Sequence, residues 1–264
     1  MLRWIDDSHC ELEGTTFRLW DIEGAEPPDV VATAAPLVIL KPRSMFERYF
    51  SLRERLTGGN IVELGVYQGG STAFLALLLT PRKLVAVEKR ANPADALTRF
   101  VADHGLKRSV RPYYGVDQSE ESRLTEILDE EFGREPIDAV FDDASHQLSE
   151  TTASFNALFH RVRPGGVFVI EDWSGSHAYE RAIRDDEALL AQLPPDPPSV
   201  DIPLSRLVLQ LVLVNAYAPD VVARVETFPG WVVVERGPAD LDAEGFDITS
   251  WYGELGDTLL APLE

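Results

Sequence analysis

From residue 60 to residue 170 the chain alternates short, almost unbroken apolar runs with longer amphipathic stretches. This rhythm constrains the fold more than any other feature. The runs cover 61–65, 84–88, 109–114, 137–142 and 167–170, and the segments 71–79, 93–104, 120–132 and 150–162 between them read as helices. Strands that alternate with helices predict a parallel sheet with right-handed crossovers. Strands covered on both faces read as continuous apolar runs rather than as alternating ones. The punctuation agrees: Pro81 closes the first helix, Pro93 opens the second, Gly105 follows its end, and Pro164-Gly165-Gly166 forms a turn before the last strand.

The flanks are less regular. Residues 15–21 predict a short strand and 26–29 a loop with two prolines. Residues 45–56 place Phe46, Tyr49, Phe50 and Leu52 at helical spacing, and Gly58-Gly59 stops that helix. An aromatic stripe at this spacing predicts cover for one face of the sheet rather than a lid. After residue 170 the expected elements are a helix over 178–193, a proline-rich loop over 194–203, an apolar helix over 204–217, and a hairpin of 222–226 and 231–235 around Phe228-Pro229-Gly230. Phe246, Trp251 and Tyr252 in the tail are expected to pack across an edge. No repeat or linker is visible. One domain is expected, with 1–57 as N-terminal cover, 58–236 as core and 237–264 as tail.

Charge narrows the partners. Against 24 Lys and Arg stand 44 Asp and Glu, a formal net charge of −20 in 264 residues. Such a field repels phosphate backbones and anionic membranes, which are bound chiefly through Lys and Arg, so the expected partner is a small molecule and neither nucleic acid nor membrane. Cys10 is the single cysteine, which excludes an intrachain disulfide and points to a reducing compartment. The first residues lack the basic and apolar regions of a signal peptide, and the apolar runs are too short to span a bilayer. A cytoplasmic protein is expected, with a homo-oligomer left open.

The chemistry gathers at strand ends. In open α/β sheets, ligands bind outside the carboxyl ends of the strands. The first predicted strand runs into VELGVYQGGST, where Gly65, Gly69 and Gly70 form a turn directly before a helix. The spacing is Glu-x-Gly-x-x-x-Gly-Gly rather than GxGxxG. Glu88 ends the second strand, where an acid can hold the hydroxyls of a ribose. The fourth strand ends in FDDASHQ, with Asp142, Asp143 and His146, and the fifth in Glu171-Asp172. Two unit charges ~4 Å apart repel by about 4 kcal/mol at an effective dielectric of roughly 20. Such a cluster needs shared protons or a divalent cation, and an all-oxygen donor set favours a hard one such as magnesium.

These motifs resemble the class I S-adenosylmethionine-dependent methyltransferases, over about residues 60–235. The resemblance implies a Rossmann-like fold: a mostly parallel seven-stranded sheet with helices on both faces and a C-terminal antiparallel hairpin. It implies that Glu63, Gly65, Gly69, Gly70 and Ser71 line the cofactor's methionine part and that Glu88 binds its ribose. Asp117 and Gln118 would lie around the adenine, although Asp117 is also well placed as a helix cap. The segment from FDDASHQ to Glu171-Asp172 is similar to metal-dependent macrolide-sugar O-methyltransferases and cephalosporin-hydroxylase-type proteins. That similarity implies Asp143, Glu171 and Asp172 as metal ligands, His146 as base, and Asp142 nearer the cofactor. The implied reaction is methyl transfer to a hydroxyl of a small molecule, a sugar or a hydroxylated natural product. Trp173 is a candidate acceptor contact; for His177 packing is preferred, and His160 reads as structural. The competing readings are a metal-independent methyltransferase, a nicotinamide-dependent oxidoreductase on a similar fold, and a binding protein that has lost catalysis.

Overall fold

The structure, a computed structural model, describes residues 2–19, 36–185, 202–242 and 245–260. The chain divides into two compact units, Met1–Val116 and Asp117–Glu264. Its main sheet has seven strands, in the order Val222–Phe228, Trp231–Arg236, Val162–Glu171, Ile137–Asp142, Asn60–Leu64, Lys83–Glu88 and Val110–Tyr114. This is the α/β class that the strand–helix rhythm predicts.

The first unit begins with a small sheet of which sequence periodicity reveals one strand. It comprises β1 (Arg3–Trp4), β2 (His9–Leu12), β3 (Thr15–Leu19) and β4 (Leu37–Ile39), in that order. The first three pair antiparallel, and β4 joins β3 in parallel. Glu13 and Gly14 turn the β2–β3 hairpin with φ of 49° and 81°, the left-handed pair of a two-residue turn. Cys10 on β2 is buried, and burial pushes its thiol up to about 11. The expected strand over 15–21 is β3; residues 20 and 21 and the expected 26–29 loop lie outside the described residues.

Helix α1 (Arg43–Leu56) buries Met45, Phe46, Tyr49, Leu52 and Leu56. Four rings meet Phe74 edge-on: Phe17 at 5.6 Å, Phe46 at 4.8 Å, Tyr49 at 5.9 Å and Phe50 at 6.2 Å between centroids. Edge-on contacts suit the quadrupoles of aromatic rings. The aromatic stripe is therefore core. Strands β5 (Asn60–Leu64), β6 (Lys83–Glu88) and β7 (Val110–Tyr114) run parallel, linked through α2 (Gly70–Leu79) and α3 (Asp95–Asp103). Pro93 does not open α3: it precedes the N-cap, Ala94.

The second unit holds α4 (Glu121–Phe132), β8 (Ile137–Asp142), α5 (Leu148–Phe159), β9 (Val162–Glu171), α6 (Gly175–Asp185), α7 (Ser205–Tyr217), β10 (Val222–Phe228), β11 (Trp231–Arg236) and α8 (Gly253–Leu260). β8 and β9 are parallel; β11 pairs antiparallel with both β9 and β10. Here the structure corrects the sequence reading. Helix α5 stops at Phe159, and the Pro164-Gly165-Gly166 segment lies inside β9 rather than before it. The strand absorbs it as an irregularity in register, with Gly165 at φ 72°. A side chain at Gly166 would come within 2.6 Å of Val162 Cγ1 and 2.9 Å of the Asp138 carbonyl. α6 starts three residues earlier than expected. The rest of the predicted 178–193 helix and most of the 194–203 loop lie outside the described residues.

Helix α7 buries Leu207, Val208, Leu211 and Val214 but exposes Leu209, Val212 and Tyr217. Phe246 of the tail meets the rings of Phe159 and His160. His160 is a packed residue whose Nδ1 lies 3.2 Å from the Asn156 carbonyl, and burial lowers its pKa. No helix among the described residues is long and apolar enough to cross a membrane.

Candidate active site

In the first unit, β5 ends at Leu64 and the chain turns through Gly65 (φ 92°), Tyr67 (φ 50°) and Gly69 (φ 85°) into α2. No side chain caps α2, so its first amides face the loop. The glycines also answer to packing. A side chain at Gly69 would strike Leu97 Cβ, and one at Gly70 would strike the Val38 carbonyl. Glu63 is buried on β5 and accepts a hydrogen bond from Thr72 Oγ1 at 2.5 Å, which ties the strand to the start of the helix. Ser71 is half-buried in the first turn of α2.

Glu88, buried at the end of β6, is the organiser of this loop. Its Oε2 accepts from the amides of Val66 at 3.1 Å and Tyr67 at 2.6 Å. Its Oε1 accepts from the Arg90 amide at 2.9 Å and from Arg90 Nε at 3.1 Å. Burial raises its pKa, but the donors from Arg90 and Tyr67 outweigh burial and hold the carboxyl below its ordinary value. The Arg90 guanidinium lies 4.8 Å from the Tyr67 ring centre. Sequence reading missed both Arg90 and Tyr67; the left-handed Tyr67 backbone has no sequence signal, whereas Arg90, two residues past the strand-ending acid, did.

In the second unit, Asp117 serves the turn into α4. Its Oδ1 accepts from the Ser119 amide at 2.9 Å and hydroxyl at 2.8 Å, while its own amide donates to Glu120 Oε1 at 3.0 Å. These bonds close a turn ahead of α4, whose own N-cap, Glu120, makes no side-chain cap hydrogen bond. Gln118 is buried. Its Nε2 donates to both carboxylate oxygens of Asp142, at 3.1 and 3.0 Å, and its Oε1 accepts from the Ser145 amide at 2.7 Å. Ser154 of α5 donates to Asp142 Oδ2 at 2.7 Å. Asp142 is fully enclosed. Burial pushes its pKa up to about 6, against the pull of Ser154, His146, the Ala144 amide and Gln118. Ser154 went unread, although a serine on the apolar face of a helix beside Phe155 and Leu158 was a visible signal.

Beyond Asp142 the loop brings three groups together. Each of Asp143, His146 and Asp172 offers a ligand atom, and these atoms lie within 4.8 Å of one another. His146 Nε2 is 3.9 Å from Asp143 Oδ1 and 3.9 Å from Asp172 Oδ2. The convergence needs two left-handed residues that are not glycine, His146 at φ 57° and Asp172 at φ 52°. Such backbone costs of order 1–3 kcal/mol per residue and gathers where function requires it. Glu171 is buried, opposite Trp231 on β11, and is outside this threesome. The acids and the imidazole form a donor set suited to a divalent cation.

Next to Asp172 opens a cleft of about 440 Å³, lined by Trp173, His177 and Arg181 with the β10–β11 turn at Phe228-Pro229. The turn is stitched down: the Asp172 amide donates to the Gly230 carbonyl at 2.9 Å, and Trp173 Nε1 donates to the Phe228 carbonyl at 2.8 Å. His177 Nε2 lies 2.8 Å from Ser205 Oγ.

Residues 62–173 fit a protein family described as a methyltransferase domain. A tetracenomycin rhamnosyl 2'-O-methyltransferase from Streptomyces olivaceus is 37% identical over 89 residues, 33% of this chain and 23% of that protein. Demethylmacrocin O-methyltransferase from Streptomyces fradiae is 50% identical over 56 residues, 21% of this chain and 13% of that one. The matched stretches thus span less than a quarter of these curated relatives. Among solved structures, the O-methyltransferase TomG of Streptomyces achromogenes, involved in tomaymycin synthesis and bound to S-adenosylmethionine, superimposes with a TM-score of 0.51 at 20% identity, over 77% of this chain and 83% of that one. The MycE methyltransferase of the mycinamycin pathway, bound to magnesium and S-adenosylhomocysteine, gives 0.50 at 21% identity, over 73% of this chain and 49% of its own. At these identities the structural likeness establishes the fold. Fold and family match coincide on one stretch: residues 62–173 match the methyltransferase-domain family, and the sheet and helices around them share the fold of these methyltransferase structures.

Proposed function

We propose that the chain is an S-adenosylmethionine-dependent O-methyltransferase that works with a divalent cation such as magnesium on a hydroxyl of a small molecule, a sugar or a hydroxylated natural product. The observation that carries this reading is the convergence of Asp143, His146 and Asp172 on two strained turns at the carboxyl ends of β8 and β9. The names of the relatives, O-methyltransferases of a rhamnosyl tetracenomycin and of demethylmacrocin, support the acceptor class.

The residues fit both groups. Gly65, Gly69, Gly70 and Ser71 with Glu63 would hold the methionine part of S-adenosylmethionine at the uncapped start of α2. Glu88 would take the ribose, with the half-exposed Arg90 as the donor that the ribose hydroxyls replace. Asp117 would serve the adenine end, and Asp142 would lie nearer the cofactor than the cation. Asp143, Glu171 and Asp172 would hold the cation. When bound, the cation supplies Lewis acidity to the acceptor hydroxyl, and the cofactor supplies a methyl group on sulfonium. His146 would take the hydroxyl proton at Nε2, which lies 3.9 Å from Asp143 Oδ1 and 3.9 Å from Asp172 Oδ2. The protein's remaining contribution is placement, since methyl transfer needs its reactants in line more than it needs covalent help. Trp173 and the adjoining cleft are positioned to hold the rest of the acceptor.

A second reading makes His146 a ligand in place of Glu171, because its ring nitrogen and not the Glu171 carboxylate belongs to the mutually close set. The test combines calorimetric titration with S-adenosylhomocysteine and NAD and methyl transfer from labelled S-adenosylmethionine to a panel of glycosides and catechols. Binding of S-adenosylhomocysteine, and turnover abolished by EDTA and restored by magnesium, are expected. Binding of NAD alone would sink the reading, and full turnover in EDTA would remove the cation from it.

A further inference from the structure

Both ends of the Gln118 amide are used inside the protein. Nε2 faces the two Asp142 oxygens and stands 3.2 Å from Ser154 Oγ, while Oε1 takes the Ser145 amide. The orientation is forced, since a flipped amide would set oxygen against carboxylate. Ser145 then passes the restraint on: its Oγ accepts from the Gln147 amide at 3.2 Å. The residues on either side of His146 are therefore tied, and His146 between them holds φ 57°. A strained residue persists only where its surroundings over-determine it.

We infer that Gln118 is the positioning residue of the loop that carries Asp143 and His146: its amide, oriented by Asp142 and Ser154, fixes Ser145 and through it the turn that brings Asp143 and His146 to Asp172. The inference rests on the metal-dependent reading proposed above. It replaces an adenine contact as the role of Gln118, whose donor and acceptor both serve the protein interior. Residues that orient ligand-bearing segments change metal affinity or activity by about 10- to 100-fold when removed.

The test uses Gln118→Met, which keeps length and removes the amide, and Ser145→Ala, which removes only the acceptor for Gln147 on a half-buried loop. Circular dichroism establishes that each variant is folded. Amide hydrogen exchange of residues 143–147 and titration of metal-free protein with Mn²⁺ are the two readouts, with S-adenosylhomocysteine affinity as control. In Gln118→Met, faster exchange in the loop and Mn²⁺ affinity about 10- to 100-fold weaker are expected, a larger loss than any in cofactor affinity. Ser145→Ala should move both readouts in the same direction by less. Unchanged exchange in both folded variants overturns the inference. So does loss of S-adenosylhomocysteine binding with Mn²⁺ binding intact, which would make Gln118 a cofactor contact. A wild-type protein with a protected loop and no Mn²⁺ binding would sink the metal reading instead, with the clamp still standing on the exchange data.

Discussion

Asp142 offers a quantitative check on how the loop is anchored. Burial pushes its pKa from 3.8 up to about 6, so the folded protein holds this proton more tightly than the unfolded chain does. The sign follows from linkage. The stabilisation is fully present below the unfolded value near 3.8, and it is lost as pH rises through about 6. A displacement of roughly two units at 1.36 kcal/mol each amounts to about 3 kcal/mol. Asp142→Asn keeps the shape and removes the titration. The asparagine oxygen can accept from Gln118, its nitrogen can donate to Ser154 Oγ, and that hydroxyl can turn to the Thr151 carbonyl, 3.1 Å away. Urea unfolding of metal-free wild type and variant at pH ~4 and ~7 measures the effect. The unfolded carboxyl is already half ionised at pH ~4, so the variant should gain about 2 kcal/mol of that relative to wild type across the interval. A wild-type-to-variant difference that does not change with pH would refute the argument, because it would mean that Asp142 ionises in the fold as it does in the unfolded chain.

His146→Ala should lower kcat by about 10²- to 10⁴-fold while S-adenosylhomocysteine affinity stays as in the wild type; if metal affinity falls as well, His146 is a ligand rather than the base. Phe74→Ala should destabilise the protein by about 3–5 kcal/mol in urea unfolding, since four rings converge on that side chain; a loss under 1 kcal/mol would mean that the small N-terminal sheet and α1 collapse readily onto the space left behind.

The fold of residues 60–170 was legible because buried parallel strands and amphipathic helices leave opposite periodicities, and because strand ends marked by acids interrupt apolar runs. Of the N-terminal sheet only β3 was, since β1, β2 and β4 have two to four residues each, too few for a period to register. β9 was read short because Pro164-Gly165-Gly166 signals a turn locally, whereas pairing with β8 carries the strand through it. The acids and His146 were visible as residue types at strand ends. Which of them meet was not, because it depends on left-handed backbone at His146 and Asp172, a conformation those residues rarely adopt. The Gln118–Asp142–Ser154 network was hidden for another reason: its members lie 24 and 36 residues apart, and only tertiary packing joins them.

The irregularity in β9 also sets the phase of the candidate site. At its start Ile137 pairs with Val162, an offset of 25 (162 − 137); past it Ala139 pairs with Val167, an offset of 28 (167 − 139). Three residues are thus taken up before the strand settles opposite β8, and Asp142 comes level with Ile170. Side chains in a strand alternate between faces, so a change of one residue in that count turns every later side chain over. Deleting Gly165 alone would turn Glu171, at the end of β9, to the other face of the sheet without touching that acid. The proline and two glycines therefore act as a spacer of fixed parity, and their number, more than their flexibility, decides which acids stand beside those of β8.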